Sequence, residues 1–175
     1  FYSKLYSTSW RVDAPERRQS QTYIKVKGKW KYLYRAIDNR GSTIDFMLSS
    51  SRDIAAAKRF FKQAITNCAV KPKTITTDKH APYIKAIIQL KNEKILTSDL
   101  NHRQCRYLNN IIESDHRRIK RIINPMLGFK TMNSAKRCIQ GIEAMAMIIK
   151  KQTHYLRLSI LEQVQFVKRL FHIWV

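Results

Sequence analysis

The chain has 175 residues, of which 34 are Lys or Arg and 12 are Asp or Glu, giving a formal net charge of +22 and a pI near 10.3. Such a charge calls for a polyanionic partner, while an apolar content of 44 % excludes a disordered basic tail and is enough for one domain with its own core. The lack of a long unbroken apolar run makes a membrane the weaker partner, and Cys68, Cys105 and Cys138, widely spaced and without a C-x-x-C pair, argue for a reducing compartment and against a disulfide framework or zinc finger.

Residues 1–9 read as a linker or the remnant of an upstream region, and they do not form a secretory signal. Trp10 to Asp13 is short and strand-like, and Ala14 to Gln21 is polar, contains Pro15 and reads as a loop. Thr22 to Val26 alternates and is rich in β-formers; Lys27-Gly28-Lys29 makes a turn into Trp30 to Ile37, a second strand paired as a hairpin. A further turn at Asp38 to Ser42 leads into Thr43 to Leu48, which completes an antiparallel meander. The period then changes: Ile54, Ala57, Phe60, Phe61, Ala64 and Ile65 are helically spaced within Arg52 to Cys68. A short strand from Lys73 to Asp78, a helix from Ala81 to Lys94 and a last strand within Asn101 to Tyr107 follow. Leu108 to Ile123 is helical until Pro125 and Gly128 break it, Asn133 to Lys151 is helical again, and Glu162 to Ile173 forms a final amphipathic helix.

The order βββ-α-β-α-β-α-α predicts an α/β fold. It implies a mixed five-stranded sheet, first a meander and then β/α units, with helices on both faces. This is the order of the ribonuclease-H-like fold. The domain so read spans 10–152, with a loop insertion at 14–21 and a C-terminal helical extension over 153–175.

In so basic a chain, an acid within an apolar or regular segment needs a reason. Asp13 ends Trp10-Arg-Val-Asp13, Asp78 ends Lys73-Thr-Ile-Thr-Thr-Asp78, and Glu113 lies in the helical run Asn109-Asn-Ile-Ile-Glu-Ser-Asp-His116. Three carboxylates on separate elements, surrounded by cations, suit a divalent-metal phosphoryl-transfer site acting on nucleic acid. Singly, each has a plainer reading. Asp13 is a turn residue, Asp78 the N-cap of the helix after it, and Glu113 a solvated acid paired with Arg117 one turn on.

The segments Trp10-Arg-Val-Asp13, Tyr23 to Asp38, Thr77-Asp-Lys79, His102-Arg-Gln104, Tyr107 to His116 and Gly128-Phe-Lys130 together resemble the catalytic domain of DDE transposases. The similarity is greatest to bacterial insertion-sequence transposases of the cointegrate-forming type and runs from about Trp10 to Gln152. The resemblance implies a ribonuclease-H-like core, two Mg²⁺ (or Mn²⁺) ions, and hydrolysis and strand transfer at the 3′ ends of a mobile element. It assigns Asp13, Asp78 and Glu113 as the metal-binding catalytic triad, with Asp13 bridging the ions. It places a Lys or Arg seven residues after the last acid, here Lys120, which shares a helix face with position 113. Lys79, His116, Arg117, Arg118, Lys120 and Arg121 are accordingly the expected DNA contacts, with His116 alternatively supporting the metal ligands. Element ends and target DNA are the implied partners of a homo-oligomer working in the bacterial cytoplasm on the nucleoid, with no small-molecule substrate.

The chain departs from the family in three places. The family reads Asp-Glu-Thr-Tyr at the first acid, whereas here Ala14 to Gln21 stand between Asp13 and Thr22-Tyr23, a seven-residue excess within one strand (eight residues where one is expected). The strand must bulge or break there, which Pro15 favours because it cannot donate to a ladder; were the loop to pair differently, Glu16 would approach the site instead. His80 is an added residue in Asp78-Lys-His-Ala-Pro82. No helix-turn-helix region precedes Trp10, so the expectation is of a truncated copy. A catalytically dead remnant acting only as a basic DNA-binding domain is the alternative. A nuclease for RNA–DNA hybrids is a third reading, supported by fold order alone.

Lys25, Lys27, Lys29 and Lys31 give the first hairpin a basic edge, which suits either phosphate tracking or protection of an edge strand. Trp30, Tyr32 and Tyr34 are expected to pack the sheet rather than stack on bases.

Overall fold

The computed structural model describes residues 9–13, 23–68, 71–78, 80–105 and 110–150, together with 152, 161, 162, 164, 165 and 168; for Asp13 and residues 110–115 it describes the backbone alone. Ser9–Asp13 (β1), Tyr23–Val26 (β2), Lys29–Asp38 (β3), Thr43–Ser49 (β4), Thr74–Thr77 (β5) and Asn101–Gln104 (β6) form one mixed sheet. Ile54–Asn67 (α1), Ala81–Asn92 (α2), Asn110–Ile123 (α3) and Met132–Ile149 (α4) pack around it, with a 3₁₀ turn at Asn124–Met126 after α3. The final helix expected over 162–173 lies almost wholly outside the described residues.

β2, β3 and β4 form the antiparallel meander. β1 joins the same edge of β3 as β2, because Arg35 pairs with both Asp13 and Phe46 while Tyr32 pairs with both Tyr23 and Ser49, so β4 must take the opposite edge. β5 then runs parallel to β1, and β6 parallel to β5. Six strands thus fill five positions, one of them shared by two half-strands. Between Asp13 and Tyr23 the chain has nine residues (14–22), whereas between their partners Arg35 and Tyr32 it has two, Leu33 and Tyr34. The excess is nine minus two, or seven, and residues 14–22 lie outside the described residues.

Alternation along the strands sorts side chains to two cores. Trp10, Val12, Tyr34, Ala36 and Ile75 face α1 and α2, where Phe60, Phe61, Tyr83, Ile87 and Leu90 are buried. Ile24, Val26, Leu33 and Leu48 face α3 and α4, where Ile119, Ile123, Ile139 and Ile142 are buried. Asp53 caps α1, its Oδ1 accepting the Ala56 N–H at 2.7 Å, and Thr131 with Ser134 forms a capping box at the start of α4. After α3, Leu127 (φ 55) and Gly128 (φ 117) turn the chain back. Only glycine suits position 128: a Cβ there would lie 2.9 Å from the Lys25 carbonyl oxygen. Trp30 differs from expectation, since it is 60 % exposed, while Tyr34 is buried and Tyr32 packs at the margin of the first core.

One charge pair crosses the sheet–helix interface. The Arg35 Nε donates to Glu143 Oε1 at 2.7 Å and Nη2 donates to Oε2 at 3.0 Å, with both side chains fully buried. Thr43 Oγ1 adds a 3.4 Å bond to the same carboxylate. Breaking such a pair from one side leaves an uncompensated buried charge, which costs about 3–5 kcal/mol, whereas replacing both partners with apolar groups is close to neutral. We expect Glu143→Gln to lose roughly that much stability in urea denaturation, and the double variant Arg35→Met with Glu143→Leu to recover most of it.

Candidate active site

β1 and β5 end at the same edge of the sheet because they are parallel neighbours. Their pairing is Ser9↔Thr74, Trp10↔Ile75 and Arg11↔Thr76, a constant offset of 65 (76 minus 11). Carried on two residues, that offset sets Asp13 level with Asp78 (13 plus 65). Neighbouring strands are ~4.8 Å apart, so the two acids start from adjacent backbone positions. On its other side Asp13 pairs with Arg35. α3 packs against β1 and carries Glu113 in its first turn.

Of the three carboxylates, Asp78 is the one described to its side chain, and it is 5 % exposed. Its Oδ1 accepts the His80 N–H at 3.2 Å, and its Oδ2 lies 3.7 Å from Arg52 Nη2. Asp78 is not the cap of α2. That position falls to His80, which makes no side-chain cap bond. Thr77 holds the peptide of Asp78 by donating its hydroxyl to the Asp78 carbonyl at 2.8 Å. His102 Nε2 lies 2.8 Å from the same hydroxyl oxygen, whose one proton is already used, so the imidazole donates from Nε2. Burial, and then the Lys91 charge, lower the pKa of His102, which favours that neutral donor. Two residues to which sequence alone assigns no role thus brace Asp78, although His102 lies in one of the segments that carry the resemblance. For His102 the signal was its place in the last strand; for Arg52 there was none, because a basic residue before a helix is commonplace in this chain.

Arg52 sits among buried groups, its side chain 12 % exposed. The Tyr34 hydroxyl is buried nearby, and burial pushes its pKa up to about 12, with the Arg52 charge opposing the rise. On α3, His116 is 1 % exposed, which removes it from direct DNA contact and leaves the supporting role considered for it. Arg117 and Arg121 are exposed and Arg118 and Lys120 half-buried, while Lys79 lies outside the described residues, as does Glu16. A separate cleft of ≈ 520 Å³ between β4, α1 and α4, lined by Arg59, Gln63, Lys136 and Gln140 among others, contains none of the three acids.

Among the described residues, which exclude the side chains of Asp13 and Glu113, no three His, Cys, Asp or Glu are grouped so that they could hold a metal ion. The donor set itself suits Mg²⁺ or Mn²⁺: hard carboxylate oxygens, with water and phosphate available to complete the shell. Among the described residues no helix is long and apolar enough to cross a membrane.

A family model described as a DDE domain matches residues 7–152. Transposases of the insertion sequence-like element IS431mec and of the insertion sequence element IS257 in transposon Tn4003, both from Staphylococcus aureus, are 38 % identical over 149 residues, 85 % of this chain. The chain spans 61 % of the length of each. Among solved structures, the magnesium complexes of the HTLV-2 integrase catalytic core domain in trimeric and dimeric forms align with TM-scores of 0.53 and 0.51 at 19 % identity. They cover 70 % and 68 % of this chain, and 74 % and 70 % of those chains, respectively. That likeness establishes a ribonuclease-H-like fold. With a matching DDE domain over most of its length and close insertion-sequence relatives, the chain belongs to the family of insertion-sequence DDE transposases.

Proposed function

We propose that this chain is a metal-dependent catalytic domain that cleaves DNA at the 3′ ends of an insertion sequence and joins them to target DNA. The observation that supports the reading is the parallel β1–β5 register, whose offset carried on two residues pairs position 13 with position 78, together with the packing of α3, the helix that carries Glu113, against β1. Asp13, Asp78 and Glu113 would hold the divalent ions. Bound there, two such ions stabilise the attacking and leaving oxygens of an in-line displacement. The chain's own residues orient and neutralise. The His80 N–H and Thr77 fix Asp78, and Arg117 and Arg121 present cations to DNA phosphate one to two turns beyond Glu113. The partners of this reading are element ends, target DNA and further copies of the chain, in the bacterial cytoplasm on the nucleoid.

A second reading is a DNA-binding remnant without productive metal geometry. It is favoured by one observation, the seven residues by which the chain between Asp13 and Tyr23 exceeds that between their partners in β3. A displacement of ~1 Å near reacting groups can cost ~100-fold in rate. Calorimetric titration with Mn²⁺ separates the two: heat that disappears in Asp78→Ala supports the catalytic reading, and heat equal to that control supports the remnant.

Glu113→Gln is expected to lower strand transfer of a pre-cleaved end by ~100-fold or more, while affinity for the same DNA stays within about twofold because the basic surface is retained. Unchanged joining by this variant would refute the assignment. For Arg52→Met we expect the metal-free protein to lose about 2 kcal/mol, as a buried carboxylate loses its neighbouring cation. Added Mn²⁺ should then restore more thermal stability to the variant than it adds to the wild type, whereas an equal shift in both proteins would show that Arg52 does not act through Asp78.

A further inference from the structure

The β2–β3 hairpin projects past the sheet on the side where β1 ends. β4 accompanies β3 only as far as the Tyr32↔Ser49 pair, so Lys29, Trp30 and Lys31 pair with β2 alone. Lys27 (φ 48) and Gly28 (φ 73) form a two-residue turn with both residues left-handed, which makes a narrow tip. Lys25, Lys27, Lys29 and Trp30 are exposed there, and Tyr23 to Tyr32 contains no acid. The ribbon is stiff. Tyr23 packs edge-on against Tyr32 at 5.5 Å and against Trp30 at 6.1 Å, and Lys25 Nζ lies 6.0 Å over the Trp30 ring. The β2 strand is fastened from outside where it enters the turn, as the Phe129 N–H donates to the Lys25 carbonyl at 2.8 Å and the Lys27 N–H to the Phe129 carbonyl at 2.9 Å.

Those bonds also weigh against edge protection as the purpose of the lysines. For Lys25 and Lys27 the outer edge of β2 is already covered by Phe129, and on β3, beside Lys29, an indole 60 % exposed is the reverse of a guard against association. A slender, acid-free ribbon ending in cations has the form that fits a groove of duplex DNA, since the major groove admits a two-stranded β-ribbon. From Arg35, the partner of Asp13, to Trp30 is five residues of β3 (35 minus 30). At ~3.3 Å per residue this is roughly 17 Å, about five base-pair steps.

We propose that the β2–β3 hairpin is a second DNA-binding element, holding the duplex about half a helical turn from the reacting phosphate. Lys25, Lys27 and Lys29 contact phosphates, and Trp30 lies against the sugar–phosphate surface. The placement relative to the reacting phosphate rests on the catalytic reading above; the contact itself does not.

The test is binding of the full chain to end duplexes in EDTA, at several salt concentrations, for wild type and K25A/K27A/K29A, with thermal melting to confirm that the variant is folded. Each lost phosphate contact lowers the salt slope by ~0.9, so raising salt from ~50 to ~200 mM should weaken the wild type by about 40-fold more than the variant. Extending the duplex from about three to about eight base pairs beyond the joining position should strengthen wild-type binding and leave the variant unchanged, and Trp30→Ala should lose part of that gain. An unaltered slope and length dependence in the folded triple variant would overturn the proposal. So would a loss confined to substrates with unpaired ends, which would make the hairpin a stacking platform for single strands. A wild type that binds but never joins ends defeats the catalytic reading and leaves the hairpin standing; one that joins ends beside a variant of unchanged slope defeats the hairpin alone.

Discussion

The parallel pairing of β1 with β5 is the constraint on which the candidate site depends. Its acids are far apart in sequence, and no local element brings them together. Parallel neighbours need a long crossover, and here the meander and α1 supply it before β5 returns beside β1. With Trp10, Val12 and Ile75 buried on one face, a one-residue slip of either strand would turn that face outward. The apolar core therefore fixes the register, and the register fixes which acids are level. Binding chemistry rests here on packing that contains no ligand at all.

Charge is balanced around this edge in a particular way. Arg35, the strand partner of Asp13, gives its guanidinium to Glu143 on α4, while Arg52 approaches Asp78 from the start of α1. The helical layers on the two faces of the sheet thus each contribute to the electrostatics beside one of the paired acids. The surplus of cations in the chain is not only a surface property for attracting nucleic acid. Arg35 is fully buried and Arg52 mostly so, where the local dielectric makes their placement matter most.

Much of this was legible in the sequence because it follows from period and punctuation. The meander, α1, α2 and α4 follow alternation, helical spacing and the breaks at Gly28, Pro125 and Gly128. The seven-residue excess between Asp13 and Tyr23 was legible too, as a length that one continuous strand beside β3 has no room for. What escaped were features made by tertiary contact. Trp30 looked like sheet filling, and only the early end of β4 reveals why it is left 60 % exposed. Arg35 and Glu143 are 108 residues apart, and each reads alone as an ordinary charge. An acid inside the apolar run Ile142-Glu-Ala-Met-Ala146 was a signal of the same kind that drew attention to Asp78. His116 opens a basic run, yet it falls at helical spacing with the buried Ile119 and Ile123 and is buried with them.

The two half-strands sharing one edge of β3 make the sheet indifferent to the length of what joins them. β1 is held by β3 and β5, and β2 by β3 and Phe129, so each is anchored without the other. Doubling a flexible connection adds only ~0.6 kcal/mol of closure entropy. This seam is therefore a natural port for engineering. A fluorescent reporter or a programmable DNA-reading module spliced between Asp13 and Tyr23 would emerge beside the first acid while both cores stay intact, and the same tolerance lets evolution attach new targeting parts at that spot.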